Sequence, residues 1–333
     1  MGHTTKESVQ TLITCDVLVV GGGPAGSTIS SLLTEQGWNV HILEKDPHPR
    51  FHIGESLLPQ SLPILKQLGV LTEVEQIGII KYGAEMISHR YGRSHMYYFS
   101  KAFDESQPYA FEVKRSEFDA ILLKNAISKG VTVHEGVKAQ RVEFRPGQSS
   151  LIHTEDREGR PGIWNAKFVV DASGRDTFLS NQLGGKRRSQ QHSSAAIFGH
   201  FEGVGRLPGK DEGNITAGWL NDGWCWLIPF KDGTTSVGVV CPPDYIKSRT
   251  VPLDQFLLDT LRQSPPIAQR MERAKPLTQT YAAANFSYRR DTMSGDGYLM
   301  VGDAFAFIDP VFSSGVHLAL NSGTRGAKVV DAY

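Results

Sequence analysis

A turn near the amino terminus has glycines at the spacing that binds phosphate. The sequence Gly21-x-Gly23-Pro24-Ala25-Gly26 follows an apolar, β-branched run at residues 15–20. Its first glycine permits a tight bend, its second lets the backbone approach a pyrophosphate, and its third lets helix and strand pack closely. Glu44 follows Gly21 by 23 residues, where a carboxylate can bind a ribose hydroxyl. Together these features predict a dinucleotide site.

A second acidic residue, Asp303, follows an apolar run at residues 298–301. In two-domain flavoproteins an aspartate at the end of such a strand closes the ribityl and pyrophosphate side of FAD. Asp303 therefore favours FAD over NAD as the dinucleotide. An aspartate that caps the next helix is the alternative interpretation.

Hydrophobic spacing indicates the elements that must position these residues. A helix is expected at residues 24–35, with Gly37 as its stop signal, followed by a strand at 40–44,. Another helix is expected at 117–128. Further strands that extend a parallel sheet are expected at residues 131–134, 168–172 and 298–301,.

Residues 193–288 differ, because apolar and polar residues alternate there between turns at 221–223 and 231–233. This pattern predicts an antiparallel sheet. The expected fold is α/β, with an FAD-binding, Rossmann-like parallel sheet domain and an inserted, mostly antiparallel β-sheet substrate domain. The FAD-binding domain is expected at 12–85, 111–190 and 289–333, and the substrate domain at 86–110 and 191–288.

These motifs resemble those of the flavin-dependent halogenases, within the FAD monooxygenases of the p-hydroxybenzoate hydroxylase type, and the resemblance covers almost the whole chain. Residues 113–119 resemble the third FAD segment of that group, in which Arg115 meets the cofactor. A solvated arginine at a helix start is the alternative. The segment Asp171-Ala172-Ser173-Gly174 resembles the fourth, although a β-turn also explains it,.

Two tryptophans match a signature of that family. Trp224 and Trp226 lie in Trp-Cys-Trp-Leu-Ile-Pro, and alternation along a strand places both indoles on one face,. The resemblance implies that they wall the passage between flavin and substrate. A pair of core tryptophans is the alternative.

The segment at residues 307–315 fits a family pattern of Phe, Pro, Ser and Gly. Successive backbone amides at Ser314 and Gly315, where a helix is expected to begin, form an anion-binding concavity. The resemblance implies that this anion is chloride or bromide beside the flavin. Alternatively, the amides only stabilise negative charge on reduced flavin.

Lys81 lies where halogenases carry their essential lysine, before a Gly-Ala pair. A surface lysine is the commoner case. The neighbours Ile79 and Ile80 make partial burial credible, and a desolvated amine has a lowered pKa and reacts with electrophiles. The resemblance therefore implies that Lys81 is catalytic.

The segment at residues 50–59 resembles the family segment that packs along the flavin, although a helix-capping loop is an equal alternative for His52 and Glu55. The expected FAD-binding residues are Gly21, Gly23, Pro24, Ala25, Gly26, Glu44, Lys45, Arg50, Gly54, Glu55, Ser56, Arg115, Asp171, Ser173, Gly174, Gly302, Asp303, Pro310, Gly315 and Val316.

One position departs from the tryptophan halogenases. They carry a glutamate two residues before the position of Ser314, and Phe312 stands there in this chain. The resemblance then implies a phenol or pyrrole substrate, free or tethered to a carrier protein, rather than an unactivated indole carbon. Phe312 is expected to line the passage to that substrate.

The reaction implied by the resemblance uses reduced FAD, O2 and halide to form hypohalous acid, which Lys81 presents to the aromatic ring. A separate NAD(P)H-dependent flavin reductase is the implied partner. An FAD-dependent hydroxylase, monooxygenase or reductase of the same fold is the alternative. Halogenases of this type usually continue past the position of Tyr333, so a C-terminal covering region is expected to be absent, and a non-catalytic flavin-binding protein remains a third interpretation.

Composition argues against several other classes. Lys plus Arg and Asp plus Glu both total 35, so neither nucleic acid nor a membrane is an expected partner. The three cysteines lack the spacing of a disulfide framework or a metal site. No apolar run approaches the ~18 residues of a transmembrane helix, and residues 1–12 lack the apolar core of a signal peptide. The expected location is the cytoplasm.

Overall fold

The computed structural model describes residues 12–104, 106–188, 194–284, 287–307 and 309–333. Ile308, within the expected halide segment, lies outside the described residues, as does the expected domain junction at 190/191. No helix within the described ranges is both long enough and apolar enough to cross a membrane.

The helices agree with the sequence where caps were recognisable. The first begins at Pro24, as a proline at the first helical position should, and ends before Gly37, whose φ is +93°,. The helices are α1 (Pro24–Glu35), α2 (Leu62–Leu68), α3 (Leu71–Ile77), α4 (Arg115–Ser128), α5 (Phe178–Leu183), α6 (Pro243–Lys247), α7 (Leu253–Leu261), α8 (Pro265–Met271) and α9 (Gly315–Asp331).

The strands of the amino-terminal half are β1 (Leu12–Val20), β2 (Val40–Glu44), β3 (Ile79–Lys81), β4 (Gly83–Ser88), β5 (Arg93–Tyr98), β6 (Ala110–Glu112), β7 (Thr132–Glu135), β8 (Val137–Glu143), β9 (Ser150–Asp156) and β10 (Pro161–Asp171). Those that follow are β11 (Lys186–Arg188), β12 (Ala195–Glu202), β13 (Ile215–Leu220), β14 (Gly223–Pro229), β15 (Thr235–Cys241), β16 (Lys275–Pro276), β17 (Tyr281–Ala284), β18 (Tyr288–Arg290), β19 (Ser294–Gly295), β20 (Tyr298–Met300) and β21 (Ala306–Phe307).

The first large sheet has the order β19-β20-β10-β1-β2-β7, and β8 and β9 continue from β10. Strand β1 pairs in parallel with β2 and β10, and the pairs β2–β7 and β10–β20 are also parallel. The expected parallel sheet is therefore confirmed. Because the strands run in parallel, the carboxyl ends of β1, β2, β10 and β20 meet along one edge.

The second large sheet has the order β16-β12-β15-β14-β13-β4-β5, and β17 also pairs with β12. Its pairs are antiparallel except β13–β4, which is parallel. The expected, mostly antiparallel sheet is therefore confirmed, and residues 243–271 add three helices that the sequence analysis did not identify, α6, α7 and α8. Their signal was the helical spacing of Phe256, Leu257 and Leu261, which are all buried,.

The expected division into two domains stays a prediction. The strand β4 runs across its boundary at 85/86 and pairs with β13 of the second sheet.

Helix α9 packs closely on α1 because two glycines leave room for it. A Cβ on Gly323 would lie 2.8 Å from the backbone oxygen of Ala25, and one on Gly326 would lie 3.0 Å from Ile29. Ile29 and Leu33 of α1 are fully buried, and burial of such side chains stabilises by about 1.5–3 kcal/mol each. This packing brings the amino ends of α1 and α9 to the same edge of the first sheet.

Candidate active site

A cavity of about 1300 Å³ lies between the carboxyl edge of the first sheet and one face of the second. The expected site residues that line it are Gly21, Gly23, Pro24, Ala25, Glu44, Lys45, Arg50, Gly54, Glu55, Ser56, Arg115, Ser173, Gly174, Trp224, Trp226, Asp303, Pro310, Gly315 and Val316. Among the described residues, Gly26, Lys81, Asp171, Gly302, Phe312 and Ser314 were expected in the site but do not line the cavity.

The glycine turn joins β1 to α1 at one end of the cavity. Gly21 has a φ of +106°, and a Cβ there would lie 2.4 Å from the oxygen of Ala172. A Cβ on Gly26 would lie 1.9 Å from the oxygen of Gly21. Gly26 therefore serves helix–strand packing and lies behind the cavity wall, whereas Gly23 faces the cavity.

Glu44 ends β2 beside this turn. Its carboxylate accepts hydrogen bonds from the backbone N–H of Gly22 at 2.8 Å and of Asp46 at 2.9 Å. Arg50 Nη2 lies 3.5 Å from Glu44 Oε2. Lys45, which follows, forms an ion pair with Asp176. The Glu44 carboxylate therefore holds the glycine turn in place through hydrogen bonds to the backbone.

Arg115 begins α4 and is buried. It makes a bidentate pair with Asp119, with Nε–Oδ1 at 2.7 Å and Nη2–Oδ2 at 2.9 Å. Its Nη1 donates to the carbonyl oxygen of Ile53 at 2.8 Å. The guanidinium group of Arg115, held by these hydrogen bonds, presents a fixed positive charge at the wall of the cavity.

Asp171 and Asp303 have different surroundings. Asp171 accepts hydrogen bonds from the backbone N–H of Ser173 at 3.0 Å and of Leu179 at 2.7 Å, so it holds the turn that lines the cavity without lining it itself. Asp303 lines the cavity, and burial raises its pKa to about 6 against the opposing charges of Arg115 and Arg175,.

The amino end of α9 also lies at the cavity. Ser313, whose φ is +55°, lines the cavity with Pro310, Gly315 and Val316. The amino end of α9 has no side-chain cap. Phe312 is 72% exposed and lies away from the cavity.

Trp224 and Trp226 project from the same face of β14 into the cavity wall. Their rings are 5.8 Å apart between centroids, and both residues are buried. The indole N–H of Trp226 donates to Ser236 Oγ at 3.1 Å. The two indoles form a continuous aromatic wall on the side of the second sheet.

Lys81 ends β3 and is only 2% exposed. Its Nζ donates to Ser56 Oγ at 2.7 Å and to the carbonyl oxygen of Leu57 at 3.1 Å, and lies 5.4 Å from the centroid of the Phe99 ring. Burial lowers the pKa of Lys81,. Because Ser56 lines the cavity, one hydroxyl group connects the cavity wall with this amine.

Several residues of the site were missed from the sequence. Glu55 Oε1 lies 2.7 Å from His200 Nε2 on β12, which joins the cavity loop to the second sheet. Residues 137–141 and Arg175 also line the cavity. The missed set had no recognisable motif, since strand pairing and loop packing bring it to the site.

The residues present fit FAD. Ligand pockets are commonly about 300–1,000 Å³, and this cavity, at about 1300 Å³, exceeds that range, as a site for a large cofactor should. A Cβ on Gly23 would meet nothing closer than Arg50 Nη2 at 3.6 Å, so the turn is open toward the cavity. The amino end of α1, which lacks a side-chain cap, suits a pyrophosphate.

His52, which lines the cavity, predicts an acid sensitivity of the apoprotein. Burial, with Arg115 nearby, lowers the pKa of His52 to about 4, whereas an unfolded histidine has a pKa of about 6.5. The unfolded chain therefore binds the extra proton, and stability is lost as the pH falls from about 6.5 to 4, by at most about 3 kcal/mol. Urea unfolding of wild type and His52→Gln across this range should show the smaller loss in the variant; equal losses would contradict the assignment.

The fold and this cavity define an FAD-binding flavoprotein, and comparison with known families agrees. A family model described as an FAD binding domain matches residues 14–325. The structure superposes on the myxobacterial chondrochloren halogenase CndH, described as an FAD-dependent halogenase, with a TM-score of 0.91 and 34% identity over 96% of this chain and 75% of that one.

Curated relatives give the narrower family. A Pseudoalteromonas luteoviolacea brominase, named for pyrrole-2-carbonyl on a peptidyl carrier protein, is 34% identical over 95% of this chain and 77% of its own. A tryptophan 2-halogenase of Chondromyces crocatus is 36% identical, covering 94% and 60%. The chain belongs to the flavin-dependent halogenases. The chain covers 60% of the length of the tryptophan 2-halogenase and 77% of the length of the brominase.

Proposed function

We propose that this chain catalyses FADH2-dependent halogenation of an electron-rich aromatic ring with O2 and chloride or bromide. The main support for the proposal is the position of Ser56, which lines the cavity and accepts a hydrogen bond from the buried amine of Lys81. A hydroxylase of this fold would bring its substrate directly to the flavin and would have no use for an amine behind the cavity wall. A separate NAD(P)H-dependent flavin reductase is the proposed source of reduced FAD.

The chain's own residues would hold and orient the cofactor. The turn at Gly23 and the amino end of α1 would bind the pyrophosphate, and Glu44 would bind the ribose. Arg115 and Asp303 would bind near the ribityl chain. When bound, reduced FAD supplies the activation of O2 that oxidises halide.

Ser314 and Gly315 would bind the halide. Gly315 lines the cavity at the amino end of α9, where backbone N–H groups and the helix dipole favour an anion,. The side chain of Ser314 is not required for this role, since Ser314 does not line the cavity. Backbone amides at this point would place the anion on the cofactor side of the aromatic wall.

Trp224 and Trp226 would separate the organic substrate from the flavin. The two buried indoles, with ring centroids 5.8 Å apart, would form the wall that keeps an aromatic ring away from the flavin. Lys81 would receive hypohalous acid at its Nζ and present the halogen to the ring. Its desolvation keeps water away from the electrophile.

A phenol or a pyrrole, free or tethered to a carrier protein, is the proposed substrate. Phe312 occupies the position of the glutamate found in tryptophan halogenases, and it is exposed outside the cavity. A relative named for carrier-bound pyrrole supports this class. The tryptophan 2-halogenase among the relatives makes indole the comparison to include.

The proposal is tested with purified protein, a flavin reductase, NADH, FAD and chloride or bromide. The panel comprises a phenol, a free pyrrole, a pyrrole-2-carbonyl carrier protein and tryptophan, and products are identified by mass spectrometry. We expect halogenated phenol or pyrrole and little halogenated tryptophan. Hydroxylated products that form equally well without halide would instead support the FAD-dependent hydroxylase.

A further inference from the structure

A second buried charge lies beside Lys81. Glu112, the last residue of β6, is fully buried, and its Oε1 lies 3.9 Å from Lys81 Nζ. This carboxyl group does not line the cavity and none of the motifs identified it. It is therefore available for a role that acts through Lys81.

Strand register fixes the two groups together. Strands β3 and β6 are antiparallel, with Ile79 opposite Glu112 and Lys81 opposite Ala110. Lys81 and Glu112 are thus diagonal neighbours on one face of the pair, within reach of long side chains. On its other side Glu112 forms an antiparallel bridge with Ser56, the cavity-lining residue that accepts from Lys81.

Glu112 depends on Lys81 for compensation of its charge. The Ser56 hydroxyl lies close enough to lower the pKa of Glu112, but among the described residues no hydrogen bond of good geometry reaches either carboxylate oxygen. A buried carboxylate without hydrogen bonds or an opposite charge is strongly unfavourable. The neighbouring amine, with a smaller contribution from the Ser56 hydroxyl, is therefore what allows this carboxyl group to ionise.

We propose that Glu112 is the positioning residue of Lys81: the two groups share one proton, and the carboxyl group holds the amine against Ser56 at the cavity wall. The proton would pass from Lys81 Nζ to Glu112 Oε1 when the amine turns from Ser56 and shortens their 3.9 Å separation to a hydrogen bond, and would return in the same way. The pair then stays neutral overall, and Nζ becomes a free amine without loss of a proton to solvent. The proposal rests on the halogenase function, for which Glu112 supplies the carboxylate that position 312 lacks.

The surroundings favour such sharing. Burial raises the pKa of Glu112 and lowers that of Lys81, while the charge of each opposes the shift of the other,. Glu55 is the other carboxyl group that acts on Glu112, and it raises the same pKa. Glu55 itself is paired with His200 and lies near Arg115. These are the charged groups that a pH experiment must take into account.

The first test measures the protonation of Lys81 directly, without catalysis. Protein labelled with 15N-lysine is titrated by NMR, and the Lys81 Nζ signal is identified by its loss in Lys81→Met. In Glu112→Gln we expect the midpoint to fall by about one to three pH units, because the opposite charge is gone. The control Glu85→Gln removes another buried carboxylate, paired with Arg270, and should leave the midpoint unchanged.

An unchanged midpoint in folded Glu112→Gln would overturn the proposal. So would a wild-type Lys81 that titrates at the exposed-lysine value of about 10.4. Bromination at pH 7 should fall at least about tenfold in Glu112→Gln, with its pH profile displaced in the same direction. Should Glu112→Gln lower the Lys81 midpoint while the wild-type protein halogenates nothing, the proposed function would fail but the pairing of Lys81 with Glu112 would stand.

A stability cycle gives the answer even if Glu112→Gln folds poorly. Lys81→Met leaves Glu112 buried without its partner, so its pKa lies above that of the unfolded chain. Stability of Lys81→Met should then fall as the pH rises from 5 to 8, and Lys81→Met/Glu112→Gln should lose this dependence. The same pH dependence of melting temperature in both variants would contradict the pairing.

Discussion

Lys81→Met is expected to lower halogenation at least a hundredfold, about the contribution of a positioned proton-transfer group or nucleophile, and to change oxidation of bound reduced FAD less than about twofold. The amine is behind Ser56 and does not line the cavity, so its loss leaves the flavin's contacts intact. Methionine keeps most of the side-chain volume, whereas Lys81→Ala would also open a cavity.

The two rates are measured on the same preparation, with product by mass spectrometry and flavin oxidation by absorbance at saturating O2. Lys66→Met, an exposed lysine on α2, is the control and should match wild type in both. Normal halogenation by folded Lys81→Met would remove Lys81 from the mechanism.

Replacing either of two glycines of the turn by alanine should impair a different property, stability in one case and FAD affinity in the other. Gly26→Ala should destabilise the protein without FAD by about 1–3 kcal/mol or more, because its Cβ would lie 1.9 Å from the oxygen of Gly21,. Gly23→Ala should fold normally, because its φ of −73° is ordinary and Arg50 Nη2 lies 3.6 Å from the new Cβ. That Cβ projects toward the expected pyrophosphate, so FAD affinity should fall at least about tenfold, or ~1.4 kcal/mol.

Unfolding of the apoproteins and fluorescence titration with FAD separate the two effects. Gly37→Ala would be a poor control because of its φ of +93°. The better control is Gly199→Ala, whose new Cβ would make ordinary contacts of 3.4–3.5 Å with Thr278, Gln279 and Phe201 and none with the turn. Wild-type FAD affinity in Gly23→Ala would show that the pyrophosphate does not lie at this turn.

Local signals allowed the cofactor half of the fold to be predicted. Helix α1 and strand β2 have the predicted limits, because Pro24 and Gly37 mark the helix ends and Glu44 ends an apolar run. The helix α4 began two residues earlier than expected, at Arg115. These boundaries depend on residues close in sequence, which is why spacing alone could define them.

Contacts between residues far apart in the sequence could not be predicted from local spacing. The pairing of β4 with β13 and the Glu55–His200 contact join residues that are more than 100 positions apart. The burial of Lys81 follows from its pairing with β6, and spacing suggested only partial burial. Glu112 left one overlooked signal, a charge between the apolar residues Phe111 and Val113.

The residues expected to separate flavin from substrate do not all lie where they were expected. Trp224 and Trp226 were expected on one face, and they line the cavity together. Phe312 was expected beside the substrate passage, whereas it lies 72% exposed outside the cavity. Ser313, the next residue, has a φ of +55°, and such a turn is not recognisable from a serine pair. The functional roles of these residues stay predictions.

The fate of oxygen in the product tests the central claim most directly. Protein, reductase, FAD and NADH are incubated with 18O2, bromide and the preferred phenol or pyrrole. The mass of the product is then measured by high-resolution mass spectrometry. The account predicts a product that carries bromine, with its isotope pair, and no 18O. A product that carries one 18O atom and no bromine would contradict it and would identify the protein as a hydroxylase.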